Sequence, residues 1–349
     1  MNMTSLEQRT IKALVCDKIG DPSSTRSFDV LKVKQIPAPH LPPNCVRIKV
    51  LASALNFADA LQIRGLYQER KEPPFVPGAE CSGVISEVGC DVRTLKIGDT
   101  VCAVTNGGAF AEETIAQAIS VVKIPASCDV ENAAGLPVAF GTAWTALKDR
   151  ANVQPGQTVL VLGAAGGVGL AAVQLSKILG ANVIAVARGE SKMSALKSAG
   201  ADISIDLSRH SIEELPSLIK KAAPLGGVDV VFDPVGGASF TAGFKVLTWG
   251  GQMIIVGFAS GKIPPIPANI ALVKNITIHG LYWGAHKVKD PVLYRKSLEK
   301  VAKLYAGGDI FVNVSHKYSL EQGKEAFSVL MNRGAIGKLL IVPSPRSML

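Results

Sequence analysis

The stretch VLVLGAAGGVGLAAVQLSKILGANVIAVARG, from Val159 to Gly189, limits the fold of this chain more than any other. Thr158 to Leu162 is a short apolar, β-branched run without proline, which predicts a buried strand. The chain then turns through Gly163, Gly166, Gly167 and Gly169. From Leu170 to Leu179 the apolar residues recur at helical spacing, and Gly180 stops the pattern. Asn182 to Ala187 predicts the next strand. The product is one βαβ unit wound around a glycine turn.

The composition of the turn points to chemistry. With no Cβ at Gly166, backbone can approach a pyrophosphate, and Gly169 lets the helix pack close to the sheet. Free N–H groups of the first helical turn then face an anionic linker. Ala165, Gly166, Gly167, Val168 and Gly169 are the expected contacts. The motif runs A-x-G-x-x-G from Ala164, so the usual first glycine is missing. Dinucleotide binding is the reading; a plain α/β domain with a tight turn is the alternative. Sites for NAD carry an acid at the tip of the second strand. The tip here is Ala187-Arg188-Gly189, and Arg188, Ser191 and Lys192 suit a 2′-phosphate. The expected cofactor is therefore NADPH. Glu190 is the dissonant neighbour, and surface charge at a helix start is the other account of Arg188 and Lys192.

A length of 349 residues supports two domains. The chain is 48% apolar and 19% charged, a globular composition. No unbroken run of about 18 apolar residues is present, so no membrane span is expected. The N-terminal MNMTSLEQRTIKAL has no apolar signal core, and neither secretion nor a cleaved presequence is expected. The net charge of +9 is spread along the chain. It favours a phosphorylated cofactor; no compact Lys/Arg and aromatic motif supports nucleic-acid binding. The six cysteines lack close paired spacing and fit mostly buried thiols in a reduced compartment. Ser347-Met348-Leu349 resembles the S-K-L peroxisomal import signal, with Met for the basic residue. Peroxisomal targeting through an import receptor is the expectation, a cytoplasmic protein the alternative.

Ahead of the glycine turn, many short strands punctuated by Gly and Pro suggest a compact barrel-like domain. After it, strands alternate with helices, which means a parallel sheet covered on both faces. The last strand of that series is Asn275 to Leu281. A closing strand, helix and strand follow from about Val312 to Val342.

Several segments together resemble one family. They are NFADALQIRGLY (Asn56 to Tyr67), PFVPGAECSGVISEVG (Pro74 to Gly89), LPVAFGTAW (Leu136 to Trp144), GAAGGVGLAAVQL, FDPVGG (Phe232 to Gly237) and GFASG (Gly257 to Gly261). KNITIHGLYWG and GAIGKLLI complete the set. In order and over nearly the whole chain, they resemble the zinc-free quinone oxidoreductase (zeta-crystallin-like) branch of the medium-chain dehydrogenase/reductase superfamily. The resemblance implies α/β plus β architecture: a GroES-like, partly open β-barrel catalytic domain and a Rossmann doubly wound parallel-sheet domain. The boundaries read 1–136 for the first, 137–284 for the second, and 285–349 for a C-terminal return to the catalytic domain. It also implies a homodimer, or a tetramer, with the edge strand Asn275 to Leu281 pairing with its twin.

Zinc-dependent relatives hold a catalytic metal with Cys, His and Cys. The matching positions are Asn56, Ala79 and Val138, none a suitable ligand, and Glu80 alone does not make a site. The reading is a metal-free enzyme. Without a Lewis acid, neutral carbonyls are harder to reduce. Small apolar, electron-poor acceptors, quinones above all, suit hydride transfer from NADPH. Reduction of an enal or enone C=C bond is one alternative; a non-catalytic, crystallin-like NADPH-binding protein is another.

Asn56 and Asp59 resemble family residues lining the nicotinamide end, and Tyr67 matches an active-site tyrosine. Asn56, Asp59 and Tyr67 are thus the catalytic candidates; Asp59 as a structural carboxylate and Tyr67 as a wall residue are the bland readings. Thr142 is placed near the nicotinamide carboxamide or ribose. Gly257, Phe258 and Ser260 fall in a loop after a parallel strand, a usual ligand position, and Tyr282 follows the last strand beside Trp283. Tyr282 and Trp283 either wall a substrate slot or pack an interface.

Overall fold

The computed structural model describes residues 9–24 and 26–343. These form two compact units, one from residues up to Pro137 and from Val314 onward, the other from Val138–Asn313.

In the first unit, β1 (Thr10–Cys16) and β2 (Leu31–Pro37) pair as an antiparallel ribbon. β3 (Cys45–Ala54) leads into the short helix α1 (Phe57–Ile63). β4 (Glu80–Val88), β5 (Thr100–Val104), β6 (Glu113–Gln117) and β7 (Val121–Lys123) follow. β3 is the long central strand: it pairs with β4 and β6, and β4 continues to β5 and β7. One apolar core lies on this sheet, with Val46, Ile48, Cys81, Ile85 and Val101. A second holds Leu14, Phe110, Phe327 and Ile341, with the rings of Phe28 and Phe327 stacked at 5.1 Å.

The second unit begins within α2 (Leu136–Trp144), which is prolonged by a wide helical turn over Thr145–Arg150. It alternates β8 (Thr158–Val161), α3 (Gly167–Ile178), β9 (Asn182–Ala187), α4 (Glu190–Ser198), β10 (Ile203–Asp206) and α5 (Leu215–Ala222). Then come β11 (Val228–Asp233), α6 (Gly237–Val246), β12 (Leu247–Ile255), α7 (Ala268–Lys274) and β13 (Thr277–Gly280). The six strands run parallel in the order β10-β9-β8-β11-β12-β13. The order reverses direction at β8, the switch point where dinucleotides bind in such sheets. All four residues of β8 are buried, as helices on both faces require. Leu160, Ile184, Val186, Val231, Phe240 and Phe244 build the core beneath.

The short α8 (His286–Lys289) and α9 (Pro291–Ala306) close this unit. The sequence reading returned 285–349 to the first domain; the structure corrects that boundary, since 285–313 stays with the second unit. Packing explains why. Trp283 donates from Nε1 to Ser297 Oγ at 3.1 Å and lies 5.0 Å from the Tyr294 ring. Gln174 of α3 grips Phe311 through both amide atoms, at 3.1 and 2.9 Å. Only β14 (Val314–Tyr318), α10 (Gly323–Met331) and β15 (Lys338–Ile341) belong to the first unit, where β15 lies antiparallel to β3.

The expected edge strand Asn275 to Leu281 is shorter, because Asn275 takes a left-handed conformation (φ 50°) to cap α7, a helix the sequence reading did not mark. Among the described residues, no helix is long and apolar enough to cross a membrane. Four of the six cysteines are buried, as expected, and Cys90 is exposed. Ser347-Met348-Leu349 lies outside the described residues.

Candidate functional site

The candidate residues gather in two constructions, one in each unit. In the second unit, the chain leaves β8 and turns at Gly163, whose φ is +58°. This glycine supplies the tight turn that the motif counted from Ala164 lacked; the first glycine is displaced by one residue, not lost. Gly169 meets its expectation, since a Cβ there would stand 2.7 Å from Ala164 Cα. Gly166 is different. Its φ of −77° suits any residue, and a Cβ would meet nothing nearer than Gly163 O at 3.5 Å. The protein's own packing does not require glycine there. Space is left beside the start of a 12-residue helix whose N-cap carries no side-chain hydrogen bond. That is the shape and polarity of a pyrophosphate cradle. Ala165 lies in the same turn, and Gly167 and Val168 open α3.

The tip of β9 is pinned from β10. Asp206 Oδ1 accepts from Gly189 N at 2.7 Å and Ser208 N at 2.8 Å, and these bonds hold its carboxyl below the usual range. Gly189 has φ +111°, so no side chain fits the bend comfortably. Arg188 and Ser191 are exposed and Lys192 half-buried at the start of α4. Glu190, the dissonant neighbour, pairs with Arg209 at 2.7 Å. Its carboxylate thus has a partner other than a ribose diol.

The loops after β11 and β12 interlock. Ala259 N donates to Pro234 O at 3.1 Å, Ser260 N to Val235 O at 2.9 Å and Gly237 N to Lys262 O at 3.0 Å. Asp233 Oδ1 ties Val235 N and Gly236 N. Gly257, Phe258 and Ser260 therefore sit on a braced loop, with Phe258 partly exposed. Thr142 is buried in α2. Tyr282 is 39% exposed after β13, whereas Trp283 is buried against Gly141. Of the two slot readings, that for Trp283 fails: it is a packing residue.

In the first unit, Asn56 caps α1. Asn56 N donates to Asp59 Oδ2 at 2.8 Å, and the reciprocal side-chain bond completes a capping box. The sequence candidates Asn56 and Asp59 are thus joined. Tyr67 lies half-buried in the loop beyond α1. Burial pushes the Asp59 carboxyl up to about 6, against the pull of the Asn56 N–H and of Lys338. Lys71 also senses Asp59; its ammonium sits 5.8 Å over the Phe75 ring, donates to Asn106 O at 2.6 Å, and is pushed below its ordinary pKa by burial.

The residue that sequence reasoning missed is Lys338. It opens β15 and is buried. Its Nζ donates to Leu55 O at 2.9 Å, Asn56 Oδ1 at 2.8 Å and Glu80 Oε1 at 2.8 Å. Asn56 Nδ2 donates to the same Glu80 oxygen at 2.8 Å. Glu80 is fully buried, so this is a desolvated ion pair with an amide locked between its partners. The only signal in the sequence was a lysine opening an otherwise apolar strand, KLLI. Ala79 precedes Glu80, and no group of three or more His, Cys, Asp or Glu able to hold a metal exists among the described residues. The donor set at the first two matched positions, one amide and one methyl, with an ammonium seated on the amide, does not suit zinc.

Two family models match: a zinc-binding dehydrogenase domain over residues 167–306 and an alcohol dehydrogenase GroES-like domain over 42–126. The chain is 40% identical to the quinone oxidoreductase-like protein 2 homolog of Nematostella vectensis, covering 96% of this chain and 89% of that one. It is 36% identical to quinone oxidoreductase-like protein 2 of Rattus norvegicus, over 96% and 93%. A solved mycobacterial protein, Rv1454c complexed with NADPH, superposes with a TM-score of 0.86 at 28% identity, over 95% of this chain and 100% of that one. Fold, glycine cradle, the amide and methyl at metal-ligand positions and these relatives agree, and the chain belongs to the zinc-independent, quinone oxidoreductase-like branch of the medium-chain dehydrogenase/reductase superfamily.

Proposed function

We propose that this protein reduces small, apolar, electron-poor acceptors, quinones above all, with NADPH and without a metal. One observation carries the reading: a protein ammonium, Lys338, holds Asn56 and Glu80 where metal-dependent relatives would need a ligand set. NADPH, when bound, supplies a hydride from nicotinamide C4. The glycine turn at Gly166 and the α3 N-terminus hold its pyrophosphate. Arg188, Ser191 and Lys192 hold the 2′-phosphate; Thr142, Gly257, Phe258, Ser260 and Tyr282 line the rest of the cofactor. Asn56 and Asp59 shape the reacting end, and Asn56 orients the acceptor. Tyr67 holds a proton on its phenolic oxygen for the oxyanion that forms. Because no Lewis acid draws electrons from the acceptor, the acceptor must supply that pull itself.

The test is NADPH and NADH oxidation against quinones, enals, enones and simple ketones, with metal content measured on the same sample. Quinone turnover with a preference for NADPH and no stoichiometric metal is expected. Faster turnover of enals or enones moves the assignment to a C=C reductase. Cofactor binding without turnover of any acceptor leaves a nucleotide-binding protein.

A second copy of the chain is the proposed partner. β13 is the open edge of the parallel sheet, and α7 beside it has no buried residue, with Leu272 77% and Val273 67% exposed. Sheet extension through β13 covers both the edge and the patch. Sedimentation of the wild type against Val273→Lys reads it: a dimer that the variant weakens is expected, a tetramer adds a further contact, and a monomer ends the proposal. A peroxisomal address rests on Ser347-Met348-Leu349; a fluorescent protein carrying that tripeptide should follow peroxisomes, and a Ser347→Glu version should not.

A further inference from the structure

The Lys338 ammonium has three protons, and three acceptors stand at hydrogen-bond distance: Leu55 O, Asn56 Oδ1 and Glu80 Oε1. Its donors are committed inside the protein. The consequence falls on Asn56. An ammonium only donates and a carboxylate only accepts, so the amide oxygen must face Lys338 and the amide nitrogen must face Glu80. A flipped amide would set N–H against ammonium and oxygen against carboxylate. Asn56 is also fixed through its backbone by Asp59. The parts come from far apart: Lys338 lies 282 residues beyond Asn56 and is seated by the pairing of Leu340 with Ala54 and by Leu55 N donating to Leu339 O at 3.0 Å. Burying an ion pair is poor value for stability alone, because an apolar pair of similar volume does as well or better.

We propose that Lys338 is a positioning residue for the reduction: a covalently tethered cation that does the ordering work of a bound metal, setting the one orientation in which Asn56 serves the acceptor. It does not touch the acceptor itself. This rests on the proposed role of Asn56 at the reacting end.

The test uses the full-length protein and two kinds of variant. Lys338→Ala removes the ammonium and leaves space for a small one. Quinone kcat is expected to fall about a hundredfold with the KM for NADPH little changed, and methylammonium chloride should restore it with saturation. Tetramethylammonium, which has no N–H, should not. Lys338→Arg should keep an intermediate rate. The double variant Lys338→Met, Glu80→Gln removes both charges and leaves none stranded. It should melt near the wild type, yet keep the low kcat. The Asn56 side-chain amide signals, followed by proton exchange in solution NMR, should be protected in the wild type, exposed in Lys338→Ala, and protected again with methylammonium.

Wild-type kcat in the double variant overturns the proposal. So does rescue by tetramethylammonium equal to that by methylammonium, or an Asn56 amide indifferent to Lys338. A wild type that reduces no acceptor sinks the functional reading instead, and the amide signals still decide whether Lys338 holds Asn56.

Discussion

The two halves of the candidate machinery are built on opposite plans. The cradle of the second unit is local, neutral and left incomplete: a few consecutive residues offer backbone N–H groups and an absent Cβ at Gly166. The Asn56, Glu80 and Lys338 constellation of the first unit is non-local, charged and closed on itself. One is shaped to receive a ligand's charge; the other keeps its own charges satisfied and works by holding an amide still. A site that binds leaves donors unspent, whereas a site that positions spends them.

The largest test of that contrast is Glu80→Ala. Removing the carboxylate strands the Lys338 ammonium in a buried place, and the loss should be about 3–5 kcal/mol by chemical denaturation. A loss under about 1 kcal/mol would mean that the pair is far more hydrated than its burial implies.

Next comes Asp59. Its folded pKa of about 6 lies above the ordinary 3.8, so between those values the folded state keeps a proton that the unfolded chain has lost. Its contribution is therefore fully present below about pH 4 and is lost as pH rises through 6, by roughly 3 kcal/mol in all. Asp59→Asn should remove that slope from stability-versus-pH curves. The kcat/KM profile of the wild type should fall below about pH 6, as the ionised cap is neutralised, and the variant should lack the inflection.

Gly166 and Gly169 sharpen the comparison within the cradle. Gly166→Ala should leave the melting temperature unchanged and weaken NADPH about thirtyfold, roughly 2 kcal/mol, by fluorescence titration. Gly169→Ala should do the reverse first, lowering stability because Ala164 backbone stands in the way. Equal effects of the two on binding and stability would dissolve the distinction. Smaller again, Arg188→Ala should cost about tenfold in the preference for NADPH over NADH, most visibly at low salt. Tyr67→Phe should be the smallest, about threefold in kcat, because water can also deliver the proton.

The parallel sheet and its glycine turn were legible because each part lies within one βαβ unit, where period and glycine spacing are local properties. Gly163 was read there as part of the turn, and its φ of +58° shows it standing in for the fingerprint's first glycine. The C-terminal boundary was misplaced because α8 and α9 follow the last strand of the parallel sheet with no pattern that assigns them to either unit, and only the packing of Trp283 on Tyr294 and the grip of Gln174 on Phe311 place 285–313 in the second. The edge strand was overlong because periodicity does not reveal that Asn275 closes a helix.

The sequence by itself determined the presence of a dinucleotide cradle, the absence of Cys and His at metal-ligand positions, and Asn56 and Asp59 as candidate residues, all matters of residue identity at short range. Only the tertiary structure decided where the compensating charge sits. Lys338 reaches Asn56 and Glu80 because β15 lies against β3, and no pattern in the chain ties residues 282 positions apart until strand pairing brings them together.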